Sequence, residues 1–364
     1  MAQRITNPVG GILCLARGIR QKLRLLPWKS IGGRAGRVGV WVLAIPVVPY
    51  LWGMIYYNGP FAQAGAGNVL LGLMWIGVSI SMYQCACGWK KRLLALVIAV
   101  LLVLIPWSYI RPSNDRDWSP EFKMTGYTEV TGDRVTMHHF RNFDYPRDDS
   151  GVGGKVAERW ETRTVHLSNL RGLDYFQSNF KGDLLAHPLL SFDFGTDGRV
   201  CLSVETRREV GEAFTPFGGL YKMFELQYLF VSEEDCIRLR TNVRKETVRL
   251  YSISAPLDEV RDMFLRAVEI QNRLAEKPRF YNVIHANCTT SLRDQRPEHK
   301  RGAWDWRILF NGMLDEYLYE RGRIDNASLP FRELRARCRI NDAAARAHDD
   351  PDFSERIRVG RPGR

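Results

Sequence analysis

The sequence predicts an α+β domain with an antiparallel sheet, preceded by an N-terminal anchor of three membrane-spanning helices. The anchor is predicted because no Asp, Glu, Lys or Arg occurs from Val38 to Trp89. The domain class is predicted because strand-like segments come first and helical patterns last in the remaining chain. We therefore expect a basic cytoplasmic segment at 1–37, a transmembrane region at 38–110, an α+β domain at 111–350 and a basic disordered tail at 351–364.

Three apolar runs make up the predicted anchor, at 38–57, 69–84 and 92–110. A helix needs about 20 residues to cross a hydrocarbon core of about 30 Å. The first and third runs have this length. The second is short, which predicts a tilted span or a re-entrant segment. The polar, glycine-rich stretch 58–68 separates the first two runs.

The positive charge of the chain is concentrated beside these runs. The sequence has 52 Lys and Arg against 40 Asp and Glu, a net charge of +12. Eight basic residues and no acid lie in 1–37, and Lys90, Lys91 and Arg92 follow the second run. The rest of the chain is close to neutral, which argues against a nucleic-acid partner. Because Lys and Arg stay on the cytoplasmic side, the large domain is predicted to lie outside the cytoplasm.

The domain after the anchor shows strand patterns followed by helical ones. The strand-like runs are 134–140, 162–167, 188–194, 200–205, 224–231 and 247–252. Asp197-Gly198 predicts a hairpin between the third and fourth of these runs, which makes them antiparallel. Apolar residues at helical spacing, with Pro256 at the start, predict a helix over 256–277. Further helical pieces are expected near 304–320 and 329–345.

Four cysteines fall in the domain: Cys201, Cys236, Cys288 and Cys338. They could form two disulfides outside the cytoplasm, but their spacing shows neither a disulfide framework nor a metal site, and no cofactor is indicated. Asn287 is a preferred helix N-cap, so Cys288 is expected in the first helical turn. There the backbone N–H groups favour the thiolate and can receive an oxyanion. The alternative is that Cys288 is a small buried residue.

A nucleophilic thiol needs a base, and His187 is the leading candidate. Strand alternation places His187 and Ser191 on one face, with Glu205 and Arg207 on one face of the next strand. An acid on the neighbouring strand could orient the imidazole, as in a catalytic triad. Alternatively, Glu205 forms a structural ion pair with Arg207 or Arg240. His285, three residues before Cys288, is a rival base.

Several of these residues belong to motifs in a characteristic order. The motifs are His187-x-x-Leu190-Ser191-Phe192-x-Phe194, Ser203-Val204-Glu205-x-Arg207-x-Glu209, Glu225-Leu226-x-Tyr228, Leu239-Arg240, Tyr281-Asn282 and Asn287-Cys288-Thr289-Thr290. From about Val135 to Ile340 the chain resembles the Lnb N-terminal periplasmic domain family. Members of this family are bacterial envelope proteins, and one is a lipoprotein N-acyltransferase.

The resemblance assigns roles to individual residues. It implies a circularly permuted papain-like fold in which Cys288 is the nucleophile and His187 the general base. For the third catalytic position the resemblance is less close, and Glu205 is the match because of the strand face on which it lies. Supporting roles are expected for four further residues: Asn287, Thr289, Ser191 and Arg207.

The function implied is a membrane-tethered periplasmic cysteine acyltransferase or hydrolase. A membrane phospholipid would donate the acyl group, and a lipoprotein N-terminus, another amine or water would accept it. The protein would then be a multi-pass protein of the bacterial inner membrane with its large domain in the periplasm. Two alternatives remain open: an amidase or peptidase acting on cell-wall peptide, and a non-catalytic envelope binding or scaffold domain.

Overall fold

The computed structural model describes residues 45–61, 65–148, 151–152, 156–295, 301 and 303–363. The predicted cytoplasmic segment 1–37 and the start of the first apolar run lie outside these residues. The chain divides into two compact units between Trp107 and Ser108. This division is close to position 110, where the sequence predicts the anchor to end.

The first unit contains two long apolar helices within its described residues. The chain is helical over 45–58 (α1), then over Ala66–Cys85 (α2) and Trp89–Tyr109 (α3). Only α2 and α3, with mean hydropathies of 1.4 and 2.2, are long and apolar enough to cross a membrane among the residues described. The described residues therefore show two of the three predicted spans; the first run, 38–57, begins outside them, and the count of three stays a prediction.

The helix α2 is longer than its apolar run predicts. It begins at Ala66, inside the polar stretch that was expected to form a loop. Asn68 makes this possible because its side chain donates to the carbonyl of Tyr56 at 3.2 Å and accepts from the N–H of Phe61 at 3.2 Å. These bonds satisfy a polar side chain inside an apolar unit.

A sheet of eight strands forms the frame of the second unit. Its strands are β1 Tyr127–Thr131, β2 Arg134–Arg141, β5 Trp160–His166, β6 Gly172–Lys181, β7 Leu185–Asp193, β8 Arg199–Arg207, β9 Glu225–Ser232 and β10 Thr247–Ser252, and a separate pair consists of β3 Arg147–Asp148 and β4 Gly151–Val152. The order in the sheet is β1-β2-β9-β8-β7-β6-β10, and β5 also pairs with β2. The predicted α+β class is confirmed, but the sheet is mixed, because β2 and β9 run parallel where Arg141 pairs with Val231.

The hairpin predicted at Asp197-Gly198 joins β7 to β8. These strands are antiparallel, with Asp193 opposite Arg199 and Leu189 opposite Ser203. Gly198 has a φ of 85°, a left-handed conformation that glycine adopts without strain. The hairpin fixes the register between the strand that carries His187 and the strand that carries Glu205.

Helices cover both faces of this sheet. They are α4 Glu233–Arg238, α5 Leu257–Glu276, α6 Cys288–Asp294, α7 Leu314–Glu320, α8 Phe331–Arg337, α9 Asn341–Arg346 and α10 Phe353–Arg356. Shorter turns of other helix types are Pro120–Phe122, Leu167–Asn169, Gly195–Asp197, Gly218–Leu220, Leu239–Val243, Trp306–Ile308 and Asn311–Met313.

The sheet has a packed core on each face. On one face, the Phe264 ring of α5 packs against Phe192 at 5.1 Å and Phe194 at 5.0 Å. On the other, Leu189 and Cys201 share a buried core with residues of α9 and α10.

The C-terminal segment is ordered over its described residues, so the predicted disordered tail at 351–364 is wrong. Phe353 and Ile357 are fully buried. The Arg358 guanidinium lies 2.7 Å from Asp174 and also pairs with Glu233. The basic composition suggested a solvated tail, but one of its arginines neutralises buried carboxylates, and two of its apolar residues, Phe353 and Ile357, are part of the core.

Candidate active site

Cys288 is the first residue of α6, directly after an Asn cap. The Asn287 side chain accepts a hydrogen bond from the N–H of Thr290 at 2.8 Å, and the Thr290 hydroxyl accepts from the N–H of Asn287 at 2.9 Å. This reciprocal pair is a capping box. The predicted helix start is therefore confirmed, and the cap fixes where the thiol lies.

The Cys288 thiol is protonated at rest, contrary to the thiolate expected from its helix position. Burial raises the pKa of Cys288 to about 11. The hydroxyl and N–H of Thr289 lower this pKa, but by less, and the charge of Glu205 raises it further. Removing the thiol from water therefore outweighs the local donors.

Asn311 connects the cysteine to the sheet, a role that the sequence did not indicate. Its Nδ2 donates to the Cys288 Sγ at 3.4 Å and to the Thr289 Oγ1 at 3.0 Å. Its Oδ1 accepts from the backbone N–H of Ala186 at 2.9 Å. Ala186 precedes His187 on β7, so Asn311 joins the start of α6 to the strand that carries the candidate base.

His187 is held by a hydroxyl from the neighbouring strand. Its Nε2 lies 2.8 Å from the Oγ of Ser203 and 3.4 Å from the Oε1 of Glu205. The Ser203 hydroxyl donates its one proton to Glu205 at 2.5 Å, so it can only accept from His187. Nε2 therefore carries the imidazole proton, and Nδ1 keeps its lone pair. Burial lowers the pKa of His187 to about 4, against the effect of Glu205, so the ring is neutral at neutral pH.

Glu205 is an ionised carboxylate in a buried network. Burial alone would raise its pKa, but His187, Arg240 and the Ser203 hydroxyl hold the pKa of Glu205 well below its usual range. Since His187 is neutral at neutral pH, Arg240 supplies the balancing charge there. The Arg240 Nη2 lies 2.9 Å from Glu205, and its Nη1 donates to the carbonyl oxygen and sulfur of Cys236. The sequence left Arg207 and Arg240 as alternative ion-pair partners of Glu205, and in the structure the partner is Arg240.

One cavity of about 430 Å³ brings these residues together. Cys288, His187 and Glu205 all line it, as do Asn287 and Asn311. Its apolar walls come from Phe180, Leu185, Val204, Phe214, Pro216 and Leu309. No hydrogen bond joins the Cys288 thiol to the His187 imidazole among the described residues, although both residues line this cavity.

Two predicted supporting residues and the rival base lie elsewhere. Ser191 shares the strand face of His187, but its hydroxyl donates to the buried Glu233. Arg207 donates to the carbonyl of Phe122 at 2.9 Å, and its guanidinium lies over the Trp118 ring at 4.3 Å. Neither residue is among the described residues that line the cavity, because strand alternation fixes a face but not a position along it. His285 is exposed and is not among the described residues that line the cavity.

The arrangement defines a class of protein: an α+β domain with a cysteine, a histidine and an acid around one cavity. Residues 157–312 match the model of the Lnb N-terminal periplasmic domain family, so the resemblance found in the motifs is confirmed over this segment. Cys288, His187 and Glu205 all fall within it. With the two apolar helices, the match indicates a membrane-anchored periplasmic protein. Neither a curated protein nor a solved structure matches the chain.

Proposed function

We propose that this protein is a periplasmic thiol acyltransferase or hydrolase that acts on the acyl groups of membrane lipids. The observation that supports it best is that the Cys288 thiol and the neutral His187 imidazole line one cavity. The network of Ser203, Glu205 and Arg240 leaves Nδ1 of His187 as the basic nitrogen. The permuted papain-like arrangement stays a prediction.

The reaction begins with proton transfer from the Cys288 thiol to Nδ1 of His187. The sulfur attacks the ester carbonyl of a phospholipid, and a thioester forms as the ester C–O bond breaks. His187 returns the proton to the leaving alkoxide, which departs as the hydroxyl of a lysophospholipid. An amine or water then attacks the thioester, with His187 again as base, and releases the acylated product and the thiol. Glu205 stabilises the imidazolium that exists between these steps.

The membrane anchor suits this substrate because a lipid donor stays within its bilayer. We propose three spans in the bacterial inner membrane, with the N-terminus in the cytoplasm and the large domain in the periplasm. The Lys and Arg of 1–37 and 90–92 support this orientation. A periplasm-specific reporter fused after Ile110 is expected to be active, and a cytoplasm-specific reporter at that site inactive. The reverse pattern would reject the orientation.

Mass spectrometry of lipids and lipoproteins tests the activity. Cells with the wild-type protein are expected to contain more lysophospholipid and more acylated lipoprotein than cells with Cys288→Ala. Cys338→Ala is the matched control, because Cys338 is also buried but does not line the cavity. Cleavage of cell-wall peptide instead would indicate the amidase alternative. An unchanged lipid, lipoprotein and peptide pattern would favour a binding or scaffold domain.

A further inference from the structure

A second, larger cavity lies on the other flank of α6. Cys288 and Asn287 line the first cavity, whereas Thr289 and Leu292 of the same helix line the second. Its volume is about 560 Å³, within the range of roughly 300–1,000 Å³ that is typical of small-molecule sites. The chemistry proposed for Cys288 does not use this space.

The walls of the second cavity are mostly aliphatic. They include Leu173, Leu190, Met263, Leu292, Leu314 and Leu318. The hydroxyls among the lining residues already have partners. Tyr175 donates to Gln177 at 2.9 Å, Thr289 accepts from Asn311 at 3.0 Å and Tyr317 donates to the carbonyl of Ala303 at 3.2 Å.

A peptide bound there would bury amide groups without enough hydrogen-bond partners, which is unfavourable. An alkyl chain has no such groups, and each methylene that it buries favours binding. The interior of the cavity therefore suits an alkyl chain better than a peptide.

Arginines give the same cavity a positive charge. Four arginines line it, against the single carboxylate of Glu259. Arg321 is exposed and lies over the Tyr317 ring at 5.4 Å, Arg323 is half-buried, and within the described part of the chain neither side chain is within ion-pair distance of a carboxylate. Guanidinium groups bind carboxylate and phosphate oxygens in pairs, which gives both affinity and orientation.

We propose that this second cavity binds the alkyl chain of a single-chain anionic lipid, whose carboxylate or phosphate pairs with Arg321 and Arg323. The aliphatic walls account for the chain, and the excess of arginines accounts for the negative head group. The membrane to which the chain is anchored is a source of such amphiphiles. Cys288 does not line this cavity, so the proposal does not rest on the thiol chemistry.

Photo-crosslinking of the full-length protein in phospholipid vesicles tests this site. Three probes carry a diazirine in the alkyl chain: a fatty acid, a lysophosphatidic acid and the neutral methyl ester of the fatty acid. We expect at least one anionic probe to label peptides containing Met263 or Leu292, and the methyl ester to label them far less. Labelling by the fatty acid alone would identify a carboxylate ligand, and labelling by lysophosphatidic acid alone a phosphate ligand.

Variants separate the cavity from its surroundings. The double change Arg321→Gln and Arg323→Gln is expected to lower anionic labelling roughly tenfold, because two charge-assisted bonds are lost. Arg266→Gln, an exposed arginine on α5 that does not line the cavity, is the matched control and is expected to leave labelling unchanged. Ala255→Trp, which fills the cavity from its wall, is expected to abolish labelling by every probe.

The outcome is independent of the activity assay, because the same experiment is performed with Cys288→Ala. Equal labelling with and without the thiol supports a separate site, even if the acyltransferase proposal fails. Loss of labelling in Cys288→Ala would overturn the proposal, since the lipid would then belong to the first cavity. Equal labelling by the methyl ester, or no effect of the arginine variants, would also overturn it.

Discussion

The Nε2 atom of His187 lies 2.8 Å from the Oγ of Ser203. This serine stands between the candidate base and Glu205, to which it donates a hydrogen bond at 2.5 Å. The carboxylate therefore orients the imidazole mainly through a hydroxyl, although its Oε1 is also only 3.4 Å from Nε2. Ser203 and Arg240 consequently support the base, in addition to the acid that the sequence indicated.

Ser203→Ala tests this positioning role. The change removes the acceptor of the His187 Nε2–H and a donor to Glu205, so the imidazole loses one of the two contacts that orient it. We expect kcat to fall about tenfold, with a smaller change in KM, since one positioning hydrogen bond is worth about 1 kcal/mol. Ser203→Thr keeps the hydroxyl and is expected to retain most of the activity. Equal losses in both variants would indicate a packing effect instead.

The pH dependence of stability tests the buried, neutral state of His187. Its pKa is about 4 in the folded protein, against 6.5 when exposed. Between these values the unfolded chain binds more protons than the folded protein. The free energy of unfolding therefore includes the full contribution of neutral His187 above pH 6.5, and this contribution declines as the pH falls toward 4. The full effect is at most roughly 3 kcal/mol. The Tm of the wild-type protein in detergent is expected to fall over this window, and that of His187→Gln to fall less; identical profiles would contradict this assignment.

Thiol alkylation tests the resting state of Cys288. Because burial raises its pKa to about 11, little thiolate exists at neutral pH. We expect iodoacetamide to modify Cys288 more slowly at pH 7 than the exposed Cys85 and Cys87, and the rate to increase as the pH approaches 11. Peptide mass spectrometry after timed quenching measures all of these rates. Faster modification of Cys288 than of Cys85 and Cys87 at pH 7 would indicate that Cys288 is a thiolate at rest, as its position at the helix start suggested.

Combined variants test whether His187 and Cys288 act as one unit. If they do, their losses cannot add, because the base has nothing to activate once the nucleophile is removed. Cys288→Ala, His187→Ala and the double variant are expected to show nearly the same residual activity, and Glu205→Gln a smaller loss. His285→Ala is the control, since that side chain is exposed and its ring is not among the groups described around the cavity. A further large loss in the double variant would mean that the two residues act independently.

Local features of the fold could be predicted from the sequence because they depend on neighbouring residues. The cap at Asn287 and the hairpin at Asp197-Gly198 each need only a short segment with the right side chains and backbone freedom. The strand face shared by His187 and Ser191 followed from alternation alone. The α+β class followed from the order of these local patterns.

Features that depend on distant residues could not be predicted in this way. Asn311 binds Cys288 across 23 positions, and no spacing or motif marks it. Arg358 joins the core because two buried carboxylates, Asp174 and Glu233, are already there. The pKa of Cys288 depends on burial, which only the assembled fold determines. Each of these contacts becomes visible only when the sheet and its helices have been placed.

Detection of an acyl group on Cys288 is the most direct test of the proposed chemistry. Full-length protein in phospholipid vesicles is quenched in acid during turnover, and its peptides are analysed by mass spectrometry. We expect an acyl adduct on Cys288 that hydroxylamine removes, and a hydroxylamine-resistant adduct, or none, in Cys288→Ser. An acyl group found only on another cysteine, or an unmodified Cys288 while lysophospholipid accumulates, would contradict the assignment of Cys288 as nucleophile.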